Sequence, residues 1–284
     1  MSAAVSSRRI YRRRHMIKRA AADICLSLIG IIFLIPMLWL VVASFNPKAT
    51  FSVTDLGFSL SNFKKVFTWD ISGRPIMNSF IISFFSSVII IVVTILASYP
   101  LSRFHSKVSS ASLNTLLFAS CLPMTSLMIP VYSLFTQLHL LDSTIGVILF
   151  MSASGLPMGI FMMKNFMDSI PVTLEEAAWV DGASRLQTLW KVVVPLMKPS
   201  IIVIFIYEFA GAWGNFFVPF MLLMSPDKEP AAVGIYLFFG QYGQVGYGQL
   251  AAFAIYYSLP VMIVYLITER SIGSGSLLAG SVKG

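Results

Sequence analysis

Charge is scarce in this chain: only 11% of its 284 residues are Asp, Glu, Lys or Arg, against about 25% in an ordinary soluble domain. Cysteine is nearly absent. Cys25 and Cys121 both sit inside apolar runs, so the sequence offers neither a disulfide framework nor a thiolate metal site. The three histidines, His15, His105 and His139, are far apart and none stands four residues from another, which removes the ligand pattern of a helical metal site. No G-x-x-x-x-G-K-[ST] loop is present to cradle nucleotide phosphates, and no G-x-S-x-G elbow to present a nucleophile. The expectation is a non-catalytic chain with no metal and no cofactor of its own.

What the chain has in excess is apolar surface. Hydrophobic residues make up 57% of the sequence and the mean hydropathy is +0.81, more than a water-excluded core of this size requires, so much of it must face lipid. Six runs approach the roughly 20 residues that cross a hydrocarbon core: 24–43, 76–99, 114–138, 145–166, 201–223 and 249–267. The first is too long for a signal-peptide core and is expected to be retained. The reading is an all-α membrane protein of six transmembrane helices, with loops at 59–68 and 225–248. Prolines interrupt several spans: Pro123 and Pro130 in the third, Pro157 between Gly155 and Gly159 in the fourth, and Pro260 in the sixth. Such notched helices pack closely and can bend, as ordinary helix contacts or as a moving pore lining.

The net charge of +8 does not point to nucleic acid, because of where it lies. Arg8, Arg9, Arg12, Arg13, Arg14, Lys18 and Arg19 precede the first span, a position that suits anionic headgroups. With six spans, all basic residues except Lys48, Lys64, Lys65, Arg74 and Lys228 fall on the side of the termini. The positive-inside rule then puts both termini in the cytoplasm. The expected organisation is a basic arm over 1–19, a six-helix transmembrane domain over 20–270 and a C-terminal tail over 271–284.

Segment 170–200 differs from the rest in being polar and patterned. Thr173 with Glu176, and Ser184 with Gln187, have the spacing of capping boxes, which predicts two short helices. Gly182 between them supplies a left-handed turn position, and Leu186, Leu189, Trp190 and Val193 recur at helical spacing. Pro195 and Pro199 are expected to stop the second helix. The physics of the segment fits an interfacial amphipathic anchor or a docking element for another protein.

Within this segment Glu176-Ala177-Ala178, three residues, Gly182, nine residues and Val192-Val193-Val194-Pro195 resembles the EAA signature of bacterial ABC importer permeases. Val192 and Val194 replace the usual Ile and Leu. Asn78-Ser79, the run from Ala97 to Phe104, Ile129-Pro130-Val131-Tyr132, Leu140-Leu141-Asp142-Ser143, Asp181-Gly182-Ala183-Ser184 and the run from Leu278 to Gly284 resemble the carbohydrate branch, the MalG-like permeases. The resemblance implies a type I ABC importer fold in the bacterial inner membrane. The implied partners are a second, MalF-like permease, two ATP-binding subunits that hold ATP and Mg, and an extracytoplasmic solute-binding protein delivering a carbohydrate. It further implies that the EAA segment is a cytoplasmic coupling helix, with Glu175, Glu176, Ala177, Ala178, Asp181 and Gly182 as ATPase-contact residues.

Glu208 is the one carboxylate well inside a span, where an ionisable group faces a bundle interior or a wet cavity. Gly211, Ala212 and Asn215 share its face, while Phe205, Phe209, Phe216 and Phe220 form an adjacent aromatic one. Trp213 could stack on a sugar ring while Asn215 and Glu208 bond hydroxyls; alternatively Glu208 pairs with the partner permease or is protonated. The family's aromatic-Asn-acid-Phe run has no acid here, since the chain reads Trp213-Gly214-Asn215-Phe216. In the resembled family the loop 225–248 reaches into the binding protein, which makes Gln241, Tyr242 and Gln244 the candidate probing side chains.

Overall fold

The computed structural model describes residues 2–50, 57–104, 106–239 and 245–279. In chain order the helices are α1 (Ser2–Phe45), α2 (Ser61–Val66), α3 (Arg74–Arg103), α4 (Lys107–Ser120), α5 (Met124–Gln137), α6 (Thr144–Asp168) and α7 (Thr173–Val180). There follow α8 (Arg185–Thr188), α9 (Val194–Leu196), α10 (Lys198–Trp213), α11 (Phe217–Leu222), α12 (Ala231–Gly234) and α13 (Tyr247–Ala279). Wide π turns at Trp69–Gly73 and Leu189–Val193 lead into α3 and α9. Among the described residues no strand forms beyond an isolated bridge between Phe239 and Val245.

Four stretches, Ala22–Phe45, Trp69–Arg103, Thr144–Asp168 and Tyr247–Glu269, are each long and apolar enough to cross a membrane. Two bent helix pairs stand where the third and fifth spans were expected, the second of them bending just ahead of residue 201. Ser109–Ser120 and Met124–Gln137 meet at 92°, and Arg185–Leu196 meets Lys198–Trp213 at 79°. The third run is therefore not one straight helix. Pro123 stands in extended geometry ahead of α5, lacks an N–H to continue α4, and biases Leu122 away from helix, whereas Pro130, Pro157 and Pro260 remain inside their helices. The fifth run also ends early, at Trp213. Gly214 closes α10, and the Asn215 Oδ1 accepts the Val218 N–H at 3.0 Å, so a new helix, α11, starts instead. Helices α2 and α12 occupy stretches expected to be loops, and helical backbone continues through the arm at one end and to Ala279 at the other.

The chain falls into two compact units, Met1–Val66 with Phe238–Ile255, and Phe67–Leu237 with Tyr256–Gly284. In the first, Asn62 donates to the carbonyls of Ser44 and Asn46, at 3.1 and 2.9 Å, and so satisfies the end of α1. The apolar side chains of α1 from Ile24 to Leu38 are exposed, as lipid-facing residues are.

The second unit is built on α3 against α6, with α10 alongside. Lipid tails are as apolar as Leu, so helix association there depends on close approach and polar contacts. The buried face of α3 supplies both: Ser79, Ser83, Ser86, Ser87, Thr94, Ser98 and Ser102 are each at most 2% exposed. Ser86 and Ser98 donate across to the Ile148 and Ile160 carbonyls of α6, at 3.3 and 3.2 Å. Opposite them α6 carries Gly155 and Gly159, four residues apart. A Cβ on Gly159 would lie 2.9 Å from both Ile90 Cγ2 and Thr94 Cγ2.

Candidate functional site

The α7–α8 segment forms, but not by both expected devices. Ser184 and Gln187 make a complete capping box: Ser184 Oγ accepts from the Gln187 N–H and Gln187 Oε1 from the Ser184 N–H. Thr173 and Glu176 do not. Thr173 already lies within α7 and no side chain caps that end, the N-cap being Val172, one residue earlier than expected; the carbonyls of Pro171 and Val172 accept the N–H groups of Leu174, Glu175 and Glu176. At the other end Gly182 has φ +85°. The Ala183 N–H bonds Ala178 O at 2.9 Å and the Gly182 N–H bonds Trp179 O at 3.0 Å, the pair of bonds that closes a helix through a left-handed residue. The four apolar residues expected on one face of the second helix divide: Leu189 and Val193 are buried, Leu186 and Trp190 exposed.

The six residues expected to meet an ATPase do not share a face. Glu176, Ala177, Asp181 and Gly182 are exposed and Ala178 is half-buried, but Glu175 is 0% exposed. It points inward, and its contacts lie within this chain. Arg103 Nε donates to Glu175 Oε1 at 2.6 Å and the Tyr99 hydroxyl donates to Oε2 at 2.7 Å. The same guanidinium reaches the carbonyls of Met167 and Ile170, at 3.1 and 3.4 Å. Ser102 Oγ donates to Asp168 Oδ1, and Lys164 pairs with Asp168 Oδ2 at 2.6 Å. Arg185 lies over the rings of Phe104 and Trp179, 5.0 and 5.3 Å from their centroids.

Between α3, α6 and α10 lies a cavity of about 150 Å³ with Ser86, Ser154, Glu208 and Asn215 among its polar walls. A second space of about 460 Å³ shares Ser154, Gly155, Glu208 and Gly211 with it. Glu208 is only 8% exposed, and its Oε1 has no hydrogen-bond partner among the described residues. The carboxylate fits because Gly155 lacks a side chain; a Cβ there would stand 2.6 Å from Glu208 Oε2. Trp213 does not line either space. It is 3% exposed and its ring packs on Phe209 and Tyr257, with centroids 5.7 and 5.5 Å away, so it braces α10 and does not present a stacking face to the cavity.

At the other end of α3 the loop 224–231 is held by a polar clamp. Asp142, itself at φ +55°, accepts from the Lys228 ammonium at 2.7 Å, from Ser225 Oγ at 2.6 Å, and from the Met224 and Ser225 N–H groups at 3.0 Å. Asn78 donates to the carbonyls of Asp227 and Glu229, and Ser79 Oγ accepts the Ala231 N–H. The Lys228 and Ser225 hydrogen bonds, followed by the two backbone N–H groups, hold the Asp142 carboxyl well below the usual carboxylate range. A group depressed in the folded state stabilises it above its unfolded pKa, about 3.9, and loses that contribution only as pH falls through the lower folded value. Asp142→Asn is therefore expected to cut amide-exchange protection of Met224 and Ser225 at neutral pH by about tenfold, one lost charged hydrogen bond being worth roughly 1.5 kcal/mol. The native loop should keep its protection on acidification to about pH 4. Gln241, Tyr242 and Gln244 lie outside the described residues.

Sequence reasoning did not single out Arg103 with Tyr99, Asp142 with Lys228, or the serine stripe of α3. The stripe had a signal, since Ser79, Ser83, Ser87, Thr94, Ser98 and Ser102 recur at intervals of four or seven, one face of a helix, through an otherwise apolar run.

Residues 90–272, more than half of the chain, match the family described as binding-protein-dependent transport system inner membrane component. The sulfoquinovosyl glycerol transport system permease protein SmoH of Agrobacterium fabrum is 30% identical over 256 residues, which cover 88% of this chain and 89% of that protein. The galactooligosaccharides transport system permease protein GanQ of Bacillus subtilis is 28% identical, over 95% of this chain and 98% of its own. Among solved structures, a chain of a bacterial ABC transporter involved in the import of the acidic polysaccharide alginate has the same fold. The TM-score is 0.77 at 22% identity, over 89% of this chain and 96% of that one.

Proposed function

Because the chain belongs to the binding-protein-dependent transport system inner membrane components, we propose that it is the permease subunit of an ATP-driven importer for an oligosaccharide, glycoside or polyol. The observation that carries the substrate class is the cavity beside Glu208: a carboxylate whose Oε1 has no hydrogen-bond partner among the described residues, with Asn215, Ser86 and Ser154 around it. Such walls suit a neutral ligand rich in hydroxyls, whose O–H groups donate to the carboxylate while Ile90, Met124 and Met151 meet its apolar ring faces. The sugar systems named by the two relatives support a hydroxyl-rich carbohydrate, and the galactooligosaccharides among them are neutral.

In this reading a second, MalF-like permease closes the open side of the cavity. Two ATP-binding subunits dock on the exposed face of α7 formed by Glu176, Ala177, Asp181 and Gly182, and hydrolysis of ATP with Mg takes place in them. A solute-binding protein docks at the end held by Asp142, with Gln241, Tyr242 and Gln244 as its probing contacts. Both termini lie in the cytoplasm in this reading, which the basic arm and an even number of spans support. ATP-driven closure moves α7, the helices around Glu208 open outward, and the substrate transfers only if its contacts differ between the two states.

The test is purification in mild detergent from the native host, mass spectrometry of the bound chains, and uptake of labelled oligosaccharides by the reconstituted complex. An ATPase with a Walker A loop, a second permease and ATP-dependent uptake are expected, with uptake falling about tenfold or more in Glu208→Leu. Transport by this chain alone without ATP would overturn the proposal.

A further inference from the structure

We propose that Arg103 and Glu175 are positioning residues for transport, forming the strut through which movement of α7 is delivered to α3 and α6. This rests on the reading above that the exposed face of α7 docks an ATPase.

Helix α7 has only eight residues, too few to hold a direction on its own. Its chief helix neighbours are α8 and the π turn Leu189–Val193, not α3 or α6, and the link from α6 is four residues long, 169–172. Packing and chain connectivity would therefore let α7 swivel. The polar contacts oppose this. Tyr99 and Arg103, one turn apart on α3, each bind a different oxygen of the Glu175 carboxylate, so the carboxylate is gripped at two points and resists rotation as well as sliding. Arg103 simultaneously bonds the carbonyls of Met167 and Ile170, at and just beyond the end of α6. One side chain thus joins three elements. Its exposure of 7%, against 0% for the Glu175 side chain, keeps water from competing. The neighbouring Ser102–Asp168 bond ties α3 to α6 again, so both helices receive the same displacement. Glu176, the next residue, is exposed. The two adjacent carboxylates divide the work: one is offered to a partner while its neighbour anchors the helix to the translocation core.

The experiment uses the whole complex in lipid nanodiscs, with wild type, Arg103→Met, Arg103→Lys, Glu175→Gln and, as a surface reference, Glu176→Lys. The readout is the ratio of ATPase rate with loaded binding protein to the rate without it, together with uptake in proteoliposomes. A strut predicts that Arg103→Met and Glu175→Gln complexes retain their ATPase subunits while the stimulation ratio falls on the order of tenfold, within the range for coupling between sites. Arg103→Lys, which keeps the charge but loses the forked geometry, should recover part of the ratio. A role confined to folding would lower the yield of complex and leave the ratio unchanged in what assembles, and that result overturns the proposal. So does a wild-type ratio in both variants while Glu176→Lys is defective. If Glu176→Lys also behaves as wild type, the docking face itself has been misplaced, and the strut falls with it.

Discussion

A valine at position 159 is expected to cost the chain on the order of 3 kcal/mol and to abolish uptake, whereas an alanine at 155 should leave stability nearly unchanged and still reduce uptake about tenfold. The difference follows from what each new Cβ meets. At Gly159 the neighbours are Ile90 Cγ2 and Thr94 Cγ2, both at 2.9 Å. Each is bonded directly to a β-carbon, so it can retreat only by a χ1 change that branched residues in a helix resist. Thr94 is also fully buried. Helix α6 would have to move off α3, and the serine bonds from Ser86 and Ser98 to α6 would lengthen with it. At Gly155 the close atoms are Glu208 Oε2 and Ile90 Cδ1, both at 2.6 Å and both at the ends of side chains that can swing. The backbone can stay, but the carboxylate cannot. Thermal unfolding of the detergent-solubilised chain and uptake by the reconstituted complex separate the two effects. Normal stability in Gly159→Val would mean that α3 and α6 do not approach this closely, and normal uptake in Gly155→Ala would remove Glu208 from the substrate path.

Hydropathy was enough to find the membrane-crossing runs, because lipid demands the same length of apolar helix whatever the tertiary packing. It could not find the bends. Pro123 and Pro157 look alike in sequence, yet one separates two helices at 92° and the other lies within a continuous one, since neighbouring contacts decide whether the freed carbonyl is satisfied. Glu175 and Glu176 pose the same problem on a smaller scale. Consecutive residues on a helix project about 100° apart, and only the position of Arg103, seventy-two residues earlier, decides which of them is buried. The motifs of the resemblance nevertheless had a spatial logic. Asn78, Ser79 and Asp142 come together on the loop 224–231 at one end, and Tyr99, Ser102 and Arg103 gather at the other against α6 and α7. Residues scattered along the sequence are those that pin the two ends of α3.

Gly182 offers the second large effect, and it isolates backbone conformation from packing. Nothing lies within 4 Å of where its Cβ would be, so no substitution there clashes with a neighbour in this chain. Within the chain the penalty comes from φ +85°, a left-handed position that costs an ordinary L-residue about 1–2 kcal/mol and a β-branched one more. Asn tolerates this region through local hydrogen bonding. Uptake by the reconstituted complex should therefore fall in the order Gly, Asn, Ala, Val, with the valine variant down more than tenfold and membrane insertion equal in all four. Side-chain volume does not predict that order, because Asn is larger than Ala. The reason for so large an effect is that Gly182 reverses the chain between α7 and α8, and both bonds closing α7 are donated by residues 182 and 183. A valine would rotate the turn, release those bonds, and re-aim α7. As a comparison, Ser184→Ala removes one cap of α8, worth about 1 kcal/mol, but leaves the chain direction set by Gly182 in place, so its uptake should stay within about threefold of wild type. Equal uptake across the Gly182 series would mean that the direction of α7 is immaterial to transport, which would also deprive the Arg103–Glu175 contact of anything to transmit.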